Sequence, residues 1–215
     1  MENVESKKNN TKFSIIVPIY NPPIIFLKTC IESILEQTLK DIEIILILDG
    51  SNKEIQKICE EYKMLDKRIE IINQENKGEG YSRNLGIKIA KSNWIVFVDA
   101  DDWIEKDILE KIDQKIQQTD KKTDIISFDC YVEYNNKTIK NVFYNKEGQL
   151  NNYDIKEIKL QNIGKGITKY FPNECSISVV WGKIYRKKFI IENELNFKEN
   201  IKKMPDAIFN IWAFE

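Results

Sequence analysis

Four times in the first half of the chain, a short apolar run is followed by a segment whose apolar residues recur at helical spacing. The runs are Phe13 to Val17, Ile42 to Leu48, Ile69 to Ile72 and Trp94 to Val98. The first helical segment carries Ile24, Leu27, Ile31, Ile34 and Leu35. The others cover about residues 52–63, Tyr81 to Ala90, and about 105–118. Ile42 to Leu48 is apolar at nearly every position after Glu43, as suits a strand covered on both faces. Strand and helix in alternation predict an α/β fold with a mostly parallel central sheet and helices on both sides. Asn21-Pro22-Pro23 reads as an N-cap followed by prolines in a first helical turn.

The second half has a different rhythm. Asp124 to Tyr134 and Thr138 to Tyr144 read as strands joined around the turn dipeptide Asn135-Asn136. Helices are expected over about 153–161, 183–192 and 204–214. Residues 1–12 are polar with little to bury and read as a disordered arm before a single domain over 13–215. The sequence stops inside its last amphipathic segment without a stop signal, which reads as an excised fragment.

Composition removes several kinds of chemistry. Lysine plus arginine is 33 and aspartate plus glutamate is 34, a net charge of -1. That balance argues against nucleic acid as a partner, since phosphate binding needs an excess of cations. There are 0 histidines, so triads, imidazole-bound zinc and histidine bases are excluded. Proton transfer then falls to Asp, Glu, Lys, Tyr or Cys, and oxygen ligands favour Mg2+, Mn2+ or Ca2+. Cys30, Cys59, Cys130 and Cys175 are too far apart for a zinc knuckle and read as reduced, buried thiols of a cytoplasmic protein. No signal peptide and no membrane-spanning apolar run is visible.

In open α/β sheets, ligands bind beyond the carboxyl ends of the strands. Here those ends read Pro18-Ile19-Tyr20-Asn21, Asp49-Gly50-Ser51, Asn73-Gln74-Glu75-Asn76 and Asp99-Ala100-Asp101-Asp102. Like charges crowded as at Asp99, Asp101 and Asp102 are unfavourable unless a cation sits among them. In an extended segment Asp99 and Asp101 share one side and could face one Mg2+ or Mn2+ bridging a diphosphate. The alternative is that Asp101 or Asp102 caps the next helix. Asp49 is either a turn aspartate before Gly50 or an acceptor for a nucleoside. Gly78-Glu79-Gly80 begins like a dinucleotide fingerprint but follows the third strand, with Arg83 in the third glycine's place, so a dehydrogenase is rejected. Arg83, with Lys77 before it, is either a diphosphate ligand or a solvated arginine on a helix face.

Read in order, several stretches resemble family 2 glycosyltransferases of the GT-A fold. They are Ser14 to Asn21, Ile34-Leu35-Glu36-Gln37-Thr38, Asp49-Gly50-Ser51, Asn76-Lys77-Gly78, Ser82-Arg83-Asn84-Leu85-Gly86 and Phe97 to Asp102. Trp181-Gly182-Lys183-Ile184-Tyr185 is similar to a segment on the family's acceptor side, and Met204-Pro205-Asp206 aligns with its usual Glu-Asp pair. The resemblance implies a GT-A fold, Rossmann-like, with a nucleotide-sugar-binding half over 13–118 and a smaller mixed acceptor-side half over 119–215. It implies inverting transfer from a nucleotide-diphosphate sugar, with a UDP-sugar favoured, to a glycan or lipid-linked acceptor in envelope polysaccharide or glycoconjugate synthesis. Pro18, Tyr20, Asn21, Asp49, Lys77, Gly78, Arg83, Asp99, Ala100 and Asp101 would line the donor site. Asp101 and Asp99 would hold Mn2+ or Mg2+, and Asp206 would be the base. Implied with it is a cytoplasmic location, peripheral to the inner face of the membrane.

Two departures from the family pattern stand out. Leu48 precedes Asp49 where the family often has a second aspartate, and Pro205 replaces the usual glutamate. Proline favours a helix start, so Asp206 reads also as a first-turn helix residue. That leaves a degenerate nucleotide-sugar-binding module as the alternative to an enzyme. A sugar nucleotidyltransferase ranks lower, because the first strand is followed by neither a glycine-rich nor a basic loop.

Overall fold

The structure is a computed structural model that describes residues 11–119, 123–142, 147–162, 178–199 and 205–215. The expected N-terminal arm lies outside these residues except for Thr11 and Lys12, and Cys175 and Met204 also lie outside. Strands β1 (Phe13–Ile19), β2 (Ile42–Asp49), β3 (Ile69–Gln74) and β4 (Trp94–Phe97) alternate with helices α1 (Ile24–Leu35), α2 (Lys53–Leu65), α3 (Glu79–Ile89) and α4 (Ile108–Gln118). Then come β5 (Ile125–Ser127), β6 (Cys130–Tyr134), β7 (Lys137–Asn141), α5 (Asn152–Asn162), β8 (Lys183–Arg186), α6 (Lys187–Glu192) and α7 (Pro205–Ala213).

The main sheet has the order β3-β2-β1-β4-β8-β5. β1 pairs in parallel with β2 and with β4, and β2 in parallel with β3. β8 runs antiparallel to both β4 and β5. Order reverses at β1, which lies between β2 and β4, so the crevice beyond β1 and β4 is where such sheets bind ligands.

Side-chain alternation along β1 builds two cores. Phe13, Ile15 and Val17 pack with Leu27, Ile31, Ile55 and Leu109 from α1, α2 and α4. Ile16 packs on the other face with Ile45, Phe97, Ile87, Ile190 and Phe209, reached by α3, α6 and α7. Every position of β2 is buried, as its continuous apolar run requires of a strand covered on both sides. α3 lies especially close to β1. A Cβ added at Gly86 would stand 2.4 Å from Ile16 Cγ2, so only glycine allows this approach.

Four expectations are corrected. The span 183–192 is a strand followed by a short helix: β8 exists through its pairing with β4 and β5, a non-local term that local periodicity does not carry. Asp124 to Tyr134 divides into β5 in the main sheet and β6 in a separate hairpin with β7. β7 ends at Asn141, and Phe143 and Tyr144 lie outside the described residues. Asn21 does not cap α1: Pro23 holds that position without a side-chain hydrogen bond. Asn21 instead adopts φ 47, and its Oδ1 accepts from the Asn52 amide at 2.8 Å.

Cys30 and Cys59 are buried free thiols, and Cys130 is half-buried, its Sγ accepting from Asn141 Nδ2 at 3.7 Å. Among the described residues no helix is long and apolar enough to cross a membrane.

Candidate active site

The loops beyond β1, β2 and β3 are cross-linked directly into one rim, which the β4 tip joins through Arg83 of α3. Ser51 Oγ donates to the Ile19 carbonyl at 2.8 Å, which with the Asn21 contact joins the β1 tip to the β2 tip. Gly50 N donates to the Gln74 carbonyl at 2.9 Å, joining β2 to β3. Gly50 takes φ +74, and an added Cβ would meet Asn76 backbone at 2.9 Å, so this crossing needs glycine.

Asp49 is the centre of the second joint. Its Oδ1 accepts from Lys77 N at 2.8 Å and from Gln74 Nε2 at 2.7 Å, and its Oδ2 accepts from Gly78 N at 2.8 Å. A carboxylate offers about four acceptor sites, so one remains after these three bonds. Asp49 therefore shapes the β3–α3 loop before it can meet any ligand. The Lys77 side chain is exposed, with Nζ 4.6 Å from the Tyr81 ring centroid. On the β1 tip, Pro18 is half-buried while Tyr20 and Asn21 are exposed.

The β4 tip is a turn, not an extended strand. β4 ends at Phe97, and Asp102 N donates to the Asp99 carbonyl at 3.0 Å. The two-residue alternation expected for Asp99 and Asp101 therefore does not apply. Nor does Asp102 cap α4, whose N-cap position is held by Asp107. Ala100 is buried in the α1-side core. Asp101 is exposed and makes no hydrogen bond or ion pair among the described residues. Burial, then the charges of Asp99 and Asp101, pushes the Asp102 carboxyl up to about 6.

The Gln37 segment explains how this acidic turn is held. Gln37 Nε2 donates to the Glu105 carbonyl at 2.7 Å and its Oε1 accepts from Leu109 N at 3.3 Å. Ser33 Oγ accepts from Ile104 N at 3.2 Å. The C-terminal end of α1 thus anchors the loop that presents Asp99 and Asp101.

Arg83 joins the remaining parts. It is buried, its guanidinium facing the rings of Phe97 and Phe197. Nη2 donates to Asp99 Oδ1 at 2.8 Å and to Glu79 Oε1 at 2.5 Å, and Nη1 donates to Asp206 Oδ1 at 2.6 Å. Burial disfavours the charged guanidinium, but Asp206, Asp99 and Glu79 outweigh it and hold its pKa above the usual value. Burial pushes the Asp99 carboxyl up, with Arg83 opposing. The reading of Arg83 as a solvated helix-face residue is therefore excluded. Asn84 beside it is paired twice with Phe197, through Nδ2 to the carbonyl at 2.9 Å and Oδ1 from the amide at 2.8 Å.

Asp206 does stand in the first turn of α7, which begins at Pro205. That placement does not remove it from the rim, because Arg83 brings it to the same guanidinium as Asp99. Its Oδ2 accepts from Val180 N at 3.3 Å.

The structure brings Arg83, Asp99, Asp206 and Glu79 together, and separately Asp49, Lys77 and Gly78. It does not gather Asp49 and Asp99 into one carboxylate cluster. Among the described residues no set of three or more acidic or thiol side chains is close enough to hold a metal by itself. The donor chemistry nevertheless fits a hard divalent ion bound with substrate, since Mg2+ takes one or two carboxylates plus phosphate oxygens. Asp101 is unpaired, and Asp99 Oδ2 makes no hydrogen bond among the described residues. Glu79 and Lys183 were not singled out in sequence. Glu79 follows a rule that could have found it, a Glu four residues before an Arg on one helix.

The model of the family described as "Glycosyl transferase family 2" matches residues 14–192. The chain belongs to glycosyl transferase family 2. As a member of that family it is 33% identical over 201 residues to the uncharacterized glycosyltransferase EpsJ of Bacillus subtilis, covering 94% of this chain and 55% of EpsJ. It is 34% identical over 210 residues to the minor teichoic acid biosynthesis protein GgaA of the same organism, covering 92% of this chain and 42% of GgaA. The family 2 chain thus spans about half the length of the curated relatives it matches. Its fold is similar to Staphylococcus aureus TarS in complex with UDP-GlcNAc, with TM-score 0.73 and 24% identity over 94% of this chain and 53% of that one. The mannosyltransferase PcManGT of Pyrobaculum calidifontis, in complex with GDP-Man and Mn2+, has TM-score 0.60 and 14% identity over 92% of this chain and 50% of that one. The expected GT-A fold is borne out.

Proposed function

We propose that this domain transfers a sugar, with inversion, from a nucleotide-diphosphate sugar to an acceptor hydroxyl in the synthesis of a cell-envelope polysaccharide. The observation that carries the reading is the Arg83 guanidinium, which holds Asp99 on one nitrogen and Asp206 on the other. A strand-tip carboxylate suited to a donor and a carboxylate suited to proton transfer are thereby fixed against one group.

In this reading the 13–118 half binds the donor and the 119–215 half the acceptor. The nucleoside lies against the β1 and β2 tips, touching Pro18, Tyr20 and Asn21, with the remaining acceptor site of Asp49 turned to the base. The rim of Lys77, Gly78, Arg83 and Ala100 borders the diphosphate. Asp101 and Asp99 would hold Mn2+ or Mg2+, which when bound neutralises charge developing on the departing diphosphate. Asp206 accepts the proton of the acceptor hydroxyl. The acceptor oxygen then forms its bond to the anomeric carbon as the bond from that carbon to the diphosphate oxygen breaks on the opposite face. With no histidine in the chain, a carboxylate is the fitting base. Arg83 Nη1 and Val180 N each occupy one oxygen of Asp206, which orients the carboxylate while leaving lone pairs for the proton.

TarS, solved with UDP-GlcNAc, makes a UDP-sugar the favoured donor. GgaA, named for minor teichoic acid biosynthesis, makes a glycan or lipid-linked acceptor the favoured partner. A cytoplasmic position at the inner face of the membrane fits a supply of nucleotide sugars.

The test is Asp206→Asn. Transfer or donor hydrolysis by the longest available form of the protein should fall by about 100-fold or more, while uridine diphosphate still raises its melting temperature. Retention of full transfer by this variant refutes the assignment of the base, and absence of turnover by the wild type with every donor supports a binding module.

A further inference from the structure

Behind Asp206 lies a polar network built on β8 and α7. Lys183 on β8 is fully buried, and its Nζ donates to the Val179 carbonyl at 2.5 Å. Asn210 on α7 is also fully buried. Its Nδ2 donates to the Ser178 carbonyl at 2.6 Å and to the Val179 carbonyl at 3.1 Å. Tyr185, again buried, donates its hydroxyl to Asn210 Oδ1 at 2.7 Å. The next amide along the pinned segment is Val180 N, the group that donates to Asp206 Oδ2.

Spacing explains why these residues meet. Lys183 and Tyr185 are two apart on a strand and share a face. Asp206 and Asn210 are four apart on α7 and share a face of the helix. The Tyr185 ring is fixed by Phe97 and Phe209, at 6.0 and 5.4 Å between centroids. Lys183 and Asn210, from two elements, thus converge on two successive carbonyls, Tyr185 holds Asn210 in place, and the amide that follows is aimed at a carboxylate.

We propose that Lys183, with Asn210 and Tyr185, is a positioning residue that holds the Ser178–Val180 segment as a rigid strap and so fixes the orientation and charge state of Asp206. The inference rests on Asp206 being the base, but its test does not. A buried lysine is an expensive way to fill space, since an apolar chain would do so without desolvating an amine. Burial pulls the Lys183 amine down to about 7, opposed by the charges of Asp206 and Cys130. Among the described residues, the charged groups that face Asp206 are Arg83, Lys183, Glu79 and Asp99, and the Val180 amide donates to it.

The experiment is a carboxyl titration by NMR of protein carrying 13C-labelled aspartate, with the Asp206 resonance assigned by its loss in Asp206→Asn. Lys183→Met keeps an unbranched chain one atom shorter and removes both donor and charge. Its Asp206 midpoint should move up by about half a unit or more. A residue that merely fills the core would change the melting temperature and leave that midpoint in place. A folded Lys183→Met protein whose Asp206 titrates with the wild type overturns the proposal. Should that variant not fold, Tyr185→Phe, which removes one hydroxyl and keeps the ring, decides the matter by the same readout. Its midpoint should shift in the same direction by less, and coincidence with the wild type overturns the proposal. Full transfer by Asp206→Asn would sink the base assignment separately, whichever way the titration goes.

Discussion

Arg83→Met is the perturbation most exposed to refutation. Arg83 is 1% exposed and bonds Glu79, Asp99 and Asp206, whose side chains are 50%, 25% and 19% exposed. The Glu79 contact is open to water and contributes little. The other two are charge-assisted and partly buried, worth about 1.5–2 kcal/mol each. Their loss therefore costs about 3–4 kcal/mol, which for a chain of this size lowers the melting temperature by about 6–16 °C. The sign of the pH dependence follows from Asp99. Burial already raises its pKa and Arg83 opposes that, so removing Arg83 raises it further. A carboxyl that binds its proton more tightly when folded stabilises the fold at low pH, and that stability is lost as pH rises through the folded pKa. The deficit of the variant should thus be full at pH 8 and smaller at pH 5, read by thermal melting at both. A loss below about 1 kcal/mol, or an equal deficit at the two pH values, would show that the guanidinium does not hold these carboxylates together.

Asp49→Ala should leave Gln74, Lys77 N and Gly78 N without their acceptor, costing about 1–3 kcal/mol by denaturant unfolding and weakening uridine diphosphate binding at least about tenfold by calorimetry. Unchanged binding would remove Asp49 from the donor site. Gly86→Ala drives a Cβ to 2.4 Å from Ile16 and should cost about 1–3 kcal/mol in the same unfolding assay. A neutral substitution there would mean that α3 can lift from β1 freely.

The sheet's parallel half was legible because strands buried on both faces leave uninterrupted apolar runs, as β2 does over Ile44 to Leu48. Its antiparallel extension was not. Lys183 to Arg186 carries two cations in four residues, and only pairing with β4 and β5 makes it a strand. Asp99 and Asp206 were identified by type and by resemblance, yet the guanidinium that joins them spans a contact between α3 and α7 that no local spacing encodes. Of the two alternatives left open for Arg83, the solvated one fails because three carboxylates compensate its burial. For Lys183 a signal existed. It is a cation between Gly182 and the apolar pair Ile184 and Tyr185, a pattern that now reads as a buried charge with a task.

The central claim is that the tips of β1 and β4 enclose a divalent ion and the diphosphate of the donor. Crystals of the protein with uridine diphosphate and Mn2+, measured for manganese anomalous scattering, address it directly. A peak bonded to the Asp101 carboxylate and to diphosphate oxygens, with Asp99 beside it, is the predicted result. Nucleotide lying elsewhere, or nucleotide at the tips with no manganese near Asp101, would contradict it.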